Sequence, residues 1–104
     1  MDRIHGMAHI TGGGYAENVP RILPEGMTAE FETAAWPVLP IFQLIQQRGA
    51  VSAEEMYEVF NMGIGLVLMV SPADAEAVLG AIPEALTIGR VRDWTGRPVE
   101  LRGL

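Results

Sequence analysis

Residues 4–14 read Ile4-His5-Gly6-Met7-Ala8-His9-Ile10-Thr11-Gly12-Gly13-Gly14, a largely apolar stretch that turns β-branched and then meets three consecutive glycines. β-Branched side chains suit a pleated strand, and a glycine run reverses the chain without a Cβ clash. The stretch therefore predicts a strand over 4–11 that stops in a sharp turn. Beyond the turn, Tyr15 to Leu23 predicts a short helix, with Pro20 tolerable only near a first turn and Pro24 with Gly26 closing it. Met27 to Thr33 sets Met27, Ala29 and Phe31 against Thr28, Glu30 and Glu32, the period-two pattern of a half-buried strand.

Trp36, Pro37 and Pro40 then form a rigid connection. Ile41, Phe42, Leu44 and Ile45 give an amphipathic helix that Arg48-Gly49 should end. Ser52-Ala53-Glu54-Glu55 is a capping box, opening a helix through Met56, Val59 and Phe60 to about Asn61 and Gly63. Ile64 to Val70 reads as a strand buried on both faces. Ser71-Pro72 predicts the start of a helix running to about Ala81. Leu86 to Arg92 and Pro98 to Leu101 read as strands of a hairpin, joined by Asp93-Trp94-Thr95-Gly96. The order β-α-β-α-α-β-α-β-β predicts an α+β fold, helices packed on a mixed β-sheet in a single domain over 1–104.

Composition narrows the chemistry. Of 104 residues, 49% are hydrophobic and 19% charged, enough apolar matter for a packed core. The formal charge is −6, which repels a phosphate backbone and argues against nucleic acid as partner. All basic residues are arginines, so no lysine serves a phosphate loop or a Schiff base. The absence of cysteine removes disulfides, thiolate metal sites and thiol nucleophiles. No apolar run reaches the roughly 20 residues of a membrane span, and Met1-Asp2-Arg3-Ile4-His5 lacks the blocks of a secretory signal. A cytoplasmic chain, with no membrane partner, is the expectation.

Two stretches carry candidate chemistry. In Gly12-Gly13-Gly14 the bare backbone brings N–H groups toward an anion, although a plain sharp turn has the same signature. His9 and Thr11 share a strand face leading into that turn. His9 suits an acid–base or hydrogen-bonding role, against the alternative of a half-buried histidine satisfied by a carbonyl. His5 shares the face but stands too far from His9 for a joint metal site. The second stretch is Phe60-Asn61-Met62-Gly63-Ile64-Gly65. Asn61 reads either as a left-handed helix cap or as an amide offered to a ligand, with Gly63 and Gly65 allowing close approach.

Together these pieces resemble one family. Ala8-His9-Ile10-Thr11-Gly12-Gly13-Gly14 and Glu17-Asn18-Val19-Pro20-Arg21 are similar to the AHITGGG and ENIPR segments of aminoimidazole ribonucleotide (AIR) synthetases, the phosphoribosylformylglycinamidine cyclo-ligases. Trp36 with Pro40-Ile41-Phe42, Glu55-Met56 with Phe60-Asn61-Met62-Gly63-Ile64-Gly65, and Ile88-Gly89 follow in the same order. The resemblance covers nearly the whole chain. One departure is Glu58-Val59, where family members often carry Arg-Thr.

The resemblance implies a fragment, the latter part of a C-terminal domain, without the N-terminal domain that carries most of the ATP and magnesium chemistry. It implies a ligase of purine biosynthesis: the amide oxygen of formylglycinamidine ribonucleotide is phosphorylated by ATP, then displaced by the amidine nitrogen, giving aminoimidazole ribonucleotide, ADP and phosphate. It also implies a homodimer, and a segment inactive alone. His9 would be catalytic; Thr11, Gly12, Gly13, Gly14, Asn18, Asn61 and Gly63 would bind substrate or nucleotide; no residue here would hold metal. The competing expectations are a non-catalytic binding or regulatory module, or a paralogue resembling selenophosphate synthetases and thiamine-phosphate kinases that acts on another phosphorylated substrate.

Overall fold

The computed structural model describes residues 4–104; Met1, Asp2 and Arg3, part of the stretch read for a secretory signal, lie outside them. The first strand, β1 (Ile4–His9), leads through the glycine turn into a short helix, α1 (Gly14–Asn18). Pro20 has no N–H for an α-helical ladder, and the chain continues only as a 3-10 turn over Val19–Ile22. β2 (Met27–Glu32), α2 (Pro40–Gly49), α3 (Ala53–Val59), β3 (Leu66–Val70), α4 (Pro72–Ala81), β4 (Gly89–Asp93) and β5 (Val99–Arg102) complete the predicted order. The α+β class holds.

The strands form two sheets: β1 pairs antiparallel with β3, and β2 is the centre of a mixed sheet ordered β4-β2-β5. The predicted β4–β5 hairpin does not form. β4 runs antiparallel and β5 parallel to β2, one on each side. Thr28 supplies the reason. Its buried hydroxyl donates to the Arg97 carbonyl at 2.7 Å and accepts from the Thr95 amide at 3.1 Å, pinning the intervening loop to β2. Thr33 does the same farther along, donating to the Arg102 carbonyl at 2.7 Å. Two buried threonines, one on β2 and one just past its end, thus bond backbone groups of the loop and of β5.

Three more expectations are corrected. β3 is not buried on both faces: in a two-stranded sheet only one face meets the core, so Val67 is buried beside Ala8 while Leu66 is 55% exposed. Gly49 lies within α2, and the left-handed residue ending that helix is Ala50, at φ 52°. Asn61 is likewise not the left-handed cap; α3 ends in an extended Phe60, and positive φ falls on Met62 and Gly63. The Ser52 cap is present, its hydroxyl accepting from the Glu55 amide at 3.2 Å. Ser71 precedes α4 without a side-chain cap, leaving Pro72 as that helix's opening signal.

The core gathers around Tyr15. Its ring lies edge-on to Phe31, with centroids 5.2 Å apart, and stacks on Trp36 at 6.1 Å. Tyr57 closes a third side at 5.9 Å. Ile10, Val19 and Met56 are fully enclosed beside them. A helix start, a strand, a proline-flanked connection and the α3 helix are thereby held on one aromatic knot, and that knot sits under the two glycine loops.

Candidate functional site

Both candidate stretches are turns whose shape is fixed from beneath. After β1, the Gly14 amide donates to the Thr11 carbonyl at 2.9 Å, closing the first turn, with Gly13 at φ 92° and Gly14 at φ 63°. Gly14 is obligatory for a second reason. It rests against the last turn of α3, and a Cβ there would overlap the Tyr57 carbonyl and crowd the Glu58 Cα. The third glycine is thus the contact that lets α1 lie on α3.

Asn18 is buried, and its amide nitrogen donates to the Gly14 carbonyl at 2.7 Å and the Thr11 carbonyl at 3.3 Å. These donors serve the loop's own backbone. Thr11 and Gly12 are exposed, Gly13 half-buried and Gly14 buried. His9 is exposed at the end of β1, opposite the equally exposed Leu66 of β3. The half-buried alternative for His9 is thus not what the fold provides. His5, farther along the face, is within hydrogen-bond distance of the Ser71 hydroxyl, 2.7 Å.

The second turn is braced more heavily. The Asn61 side-chain oxygen accepts from the Gly63 amide at 2.9 Å, and its carbonyl accepts from the Ile64 amide at 3.1 Å. Tyr15 donates its hydroxyl to that same carbonyl at 2.8 Å, while the Trp36 indole donates to the next one, of Met62, at 3.1 Å. Burial, and secondarily the neighbouring Tyr57 hydroxyl, pushes the Tyr15 phenol far above its ordinary range, so it remains a protonated donor at any working pH. Gly63 is exposed at the tip, and Met62 is buried behind it.

The two turns are neighbours. The Ile10 amide donates to the Gly65 carbonyl at 2.9 Å, joining the entrance of the first to the exit of the second. Tyr15 belongs to one and bonds the other. The fold therefore joins the Thr11–Gly14 turn to the Asn61–Gly65 turn, segments about 50 positions apart in sequence. Glu58, at the family departure, is exposed on the α3 turn that Gly14 abuts.

What this edge offers is hydrogen-bonding backbone, one imidazole and one carboxamide. Exposed N–H groups in a glycine turn suit phosphate or carbonyl oxygens, and an exposed imidazole suits proton exchange. Magnesium would need several oxygen ligands. Among the described residues no three His, Cys, Asp or Glu side chains converge on a metal position, so the residues here do not fit that ion. Sequence reading missed Tyr15 and Trp36, whose polar tips shape the second turn; an aromatic bearing a donor, amid apolar neighbours, was the available signal.

Residues 1–97 match the family model described as AIR synthase related protein, C-terminal domain. The chain is similar to phosphoribosylformylglycinamidine cyclo-ligases: 54% identical over 88 residues to that of Enterococcus faecalis, covering 85% of this chain and 26% of the relative. The Bacillus pumilus protein of that name is 49% identical over 98 residues, covering 90% and 28%. That of Bifidobacterium longum subsp. infantis is 43% identical over 104 residues, covering 95% and 30%. The chain thus spans less than a third of the length of these relatives. It belongs to the AIR synthase related C-terminal domain family.

Proposed function

We propose that this segment forms one wall of the ribonucleotide cleft in an ATP-dependent cyclo-ligase of purine biosynthesis. The observation that carries the reading is the meeting of the Thr11–Gly14 and Asn61–Gly65 turns, joined at Ile10 and Gly65. The substrate is formylglycinamidine ribonucleotide, and the products are aminoimidazole ribonucleotide, ADP and phosphate. Its amide oxygen attacks the γ-phosphorus of ATP, and the amidine nitrogen then attacks the activated carbon and expels phosphate. Ring closure requires that nitrogen to lose a proton, and His9, exposed beside the turn, is the group that accepts it. The amides of Gly12 and Gly13, the Thr11 hydroxyl, and Asn61 and Gly63 orient the ribonucleotide. Gly14 and Asn18 contribute by fixing the first turn's path.

ATP and magnesium fall mainly to a partner domain in this reading, because the segment has no lysine and, among its described residues, no cluster of metal-ligating side chains. The segment by itself is inactive, and the working enzyme is a cytoplasmic homodimer. His9→Ala in a complete cyclo-ligase carrying this segment tests the proposal. We expect kcat/KM to fall about 100-fold or more, as for loss of a general acid–base group, with little change in melting temperature. A lower melting temperature with unchanged kinetics would make His9 a structural residue. Ring closure by the 104-residue chain alone, given ATP, magnesium and substrate, would contradict the division of labour.

A further inference from the structure

The aromatic knot contains two polar tips that donate to the same loop. Tyr15 gives its hydroxyl to the Asn61 carbonyl and Trp36 its indole N–H to the Met62 carbonyl, at 2.8 and 3.1 Å. Filling the knot requires only rings, since phenylalanine presents the same edge and face. The donors add direction. A buried O–H or N–H without an acceptor is costly, so each holds its carbonyl in place. Here the two acceptors are successive residues in a stretch without helix or ladder bonds of its own.

The backbone between them needs holding. Met62 sits at φ 55°, in the left-handed region that a side chain disfavours, with Gly63 following at φ 100°. Burial of the Met62 side chain and the clasp on its carbonyl act on the same residue. Gly63 then emerges at the surface with its amide bonded to the Asn61 side chain, on the edge shared with the glycine turn.

We propose that Tyr15 and Trp36 are positioning residues for the ribonucleotide cleft. Through two adjacent carbonyls they hold Asn61 and Gly63 in the orientation that meets the ligand, without touching it themselves. The role rests on the cleft reading of the two turns.

Tyr15→Phe in a complete cyclo-ligase carrying this segment is the test, because it removes one oxygen and keeps the ring against Phe31, Trp36 and Tyr57. Two readouts are taken: residue-resolved amide hydrogen exchange, and amide shifts on titration with formylglycinamidine ribonucleotide. Exchange at Gly63 and Ile64 should accelerate about tenfold or more, as loss of a buried hydrogen bond implies, with the β1–β3 ladder nearly unchanged. Trp36→Phe should release the same two amides. Phe31→Leu, which disturbs the Tyr15 ring but no loop bond, should accelerate the ladder and the loop together and so calibrates a merely structural effect.

Ribonucleotide shifts at Gly63 should shrink in Tyr15→Phe. Uniform acceleration, or none at the loop, overturns the positioning role. Shifts that persist unchanged in the variant overturn it as well, while leaving the cleft intact. If the unsubstituted complete enzyme shows no shifts at either turn, the cleft reading itself fails, whatever the exchange pattern.

Discussion

Two regions of this molecule carry many apolar residues in sequence and differ in packing. Around the glycine turns, Ile10, Tyr15, Val19, Trp36, Met56 and Tyr57 are all buried, and the polar tips of Tyr15 and Trp36 each have an acceptor. On α2 and α4 no residue is buried. Ile41 and Leu44 of α2 stay 53% and 45% exposed, beside a shallow groove lined with Pro40 and Gln47. α4 carries Ala73, Ala75, Ala77, Val78 and Leu79 around its circumference with only Asp74 and Glu76 between them. An apolar helix is ordinarily an enclosed one. The contrast shows where this segment is self-sufficient: its candidate site is supported from within, whereas α2 meets the core only through the half-buried Phe42 and Ile45.

The largest difference should appear on truncating side chains. Met56→Ala empties a completely enclosed position and should cost about 2–5 kcal/mol, read from denaturant midpoints. Leu44→Ala on α2 should cost less than about 0.5 kcal/mol, since little burial is lost. Similar costs at the two positions would mean that α2 is covered in solution, and the contrast would collapse.

Glycine substitutions sharpen the comparison because they should differ in sign. Gly14→Ala places a methyl group into the Tyr57 carbonyl at positive φ, and destabilisation of about 2 kcal/mol or more is expected. Gly80→Ala falls inside α4 with open space around it, and should stabilise by about 0.5–1 kcal/mol. Thermal melts of both variants decide it. A stabilising Gly14→Ala would show that α1 does not rest on α3 as described.

How far the sequence foretold this follows the same division. Local signals found the elements: the glycine stop after β1, the Ser52 cap, Pro72 at the start of α4 and the alternation in β2 were all legible. Long-range choices were not. Whether β4 and β5 pair with each other or flank β2 turns on Thr28 and its bonds to residues 95 and 97, which no local period encodes. In the candidate site, the turns were visible as glycines. The bond between them was invisible, as was the use of Tyr15 and Trp36 on the Asn61 and Met62 carbonyls, because both join distant segments. The resemblance implied a ligand-binding role for Asn18, and in the structure its side chain is buried and its amide donates to the loop's own carbonyls.

The smallest effect expected belongs to the outer face of the β4-β2-β5 sheet, where charge replaces the aromatic packing of the site. Glu30 lies next to three guanidinium groups: Arg92 at 3.0 Å, Arg90 at 3.2 Å and Arg102 at 3.4 Å. The Arg92 hydrogen bond, chiefly, holds its carboxyl below the ordinary value of 4.5, with Arg90 and Arg102 adding to it. A carboxylate whose folded pKa is depressed stabilises the protein fully above the unfolded value. That stabilisation is lost as pH falls through the folded pKa. The parent chain should therefore lose stability relative to Glu30→Gln as pH falls below about 4.5, having been the more stable of the two at neutral pH. The gap should be small, because the arginines are 39–66% exposed, and it should narrow in 1 M salt. Urea midpoints for both proteins from pH 7 to pH 3 measure it. A gap that persists unchanged at pH 3 and in high salt would show that the sheet is held by Thr28, Thr33 and its ladders, with the guanidinium cluster contributing nothing to stability.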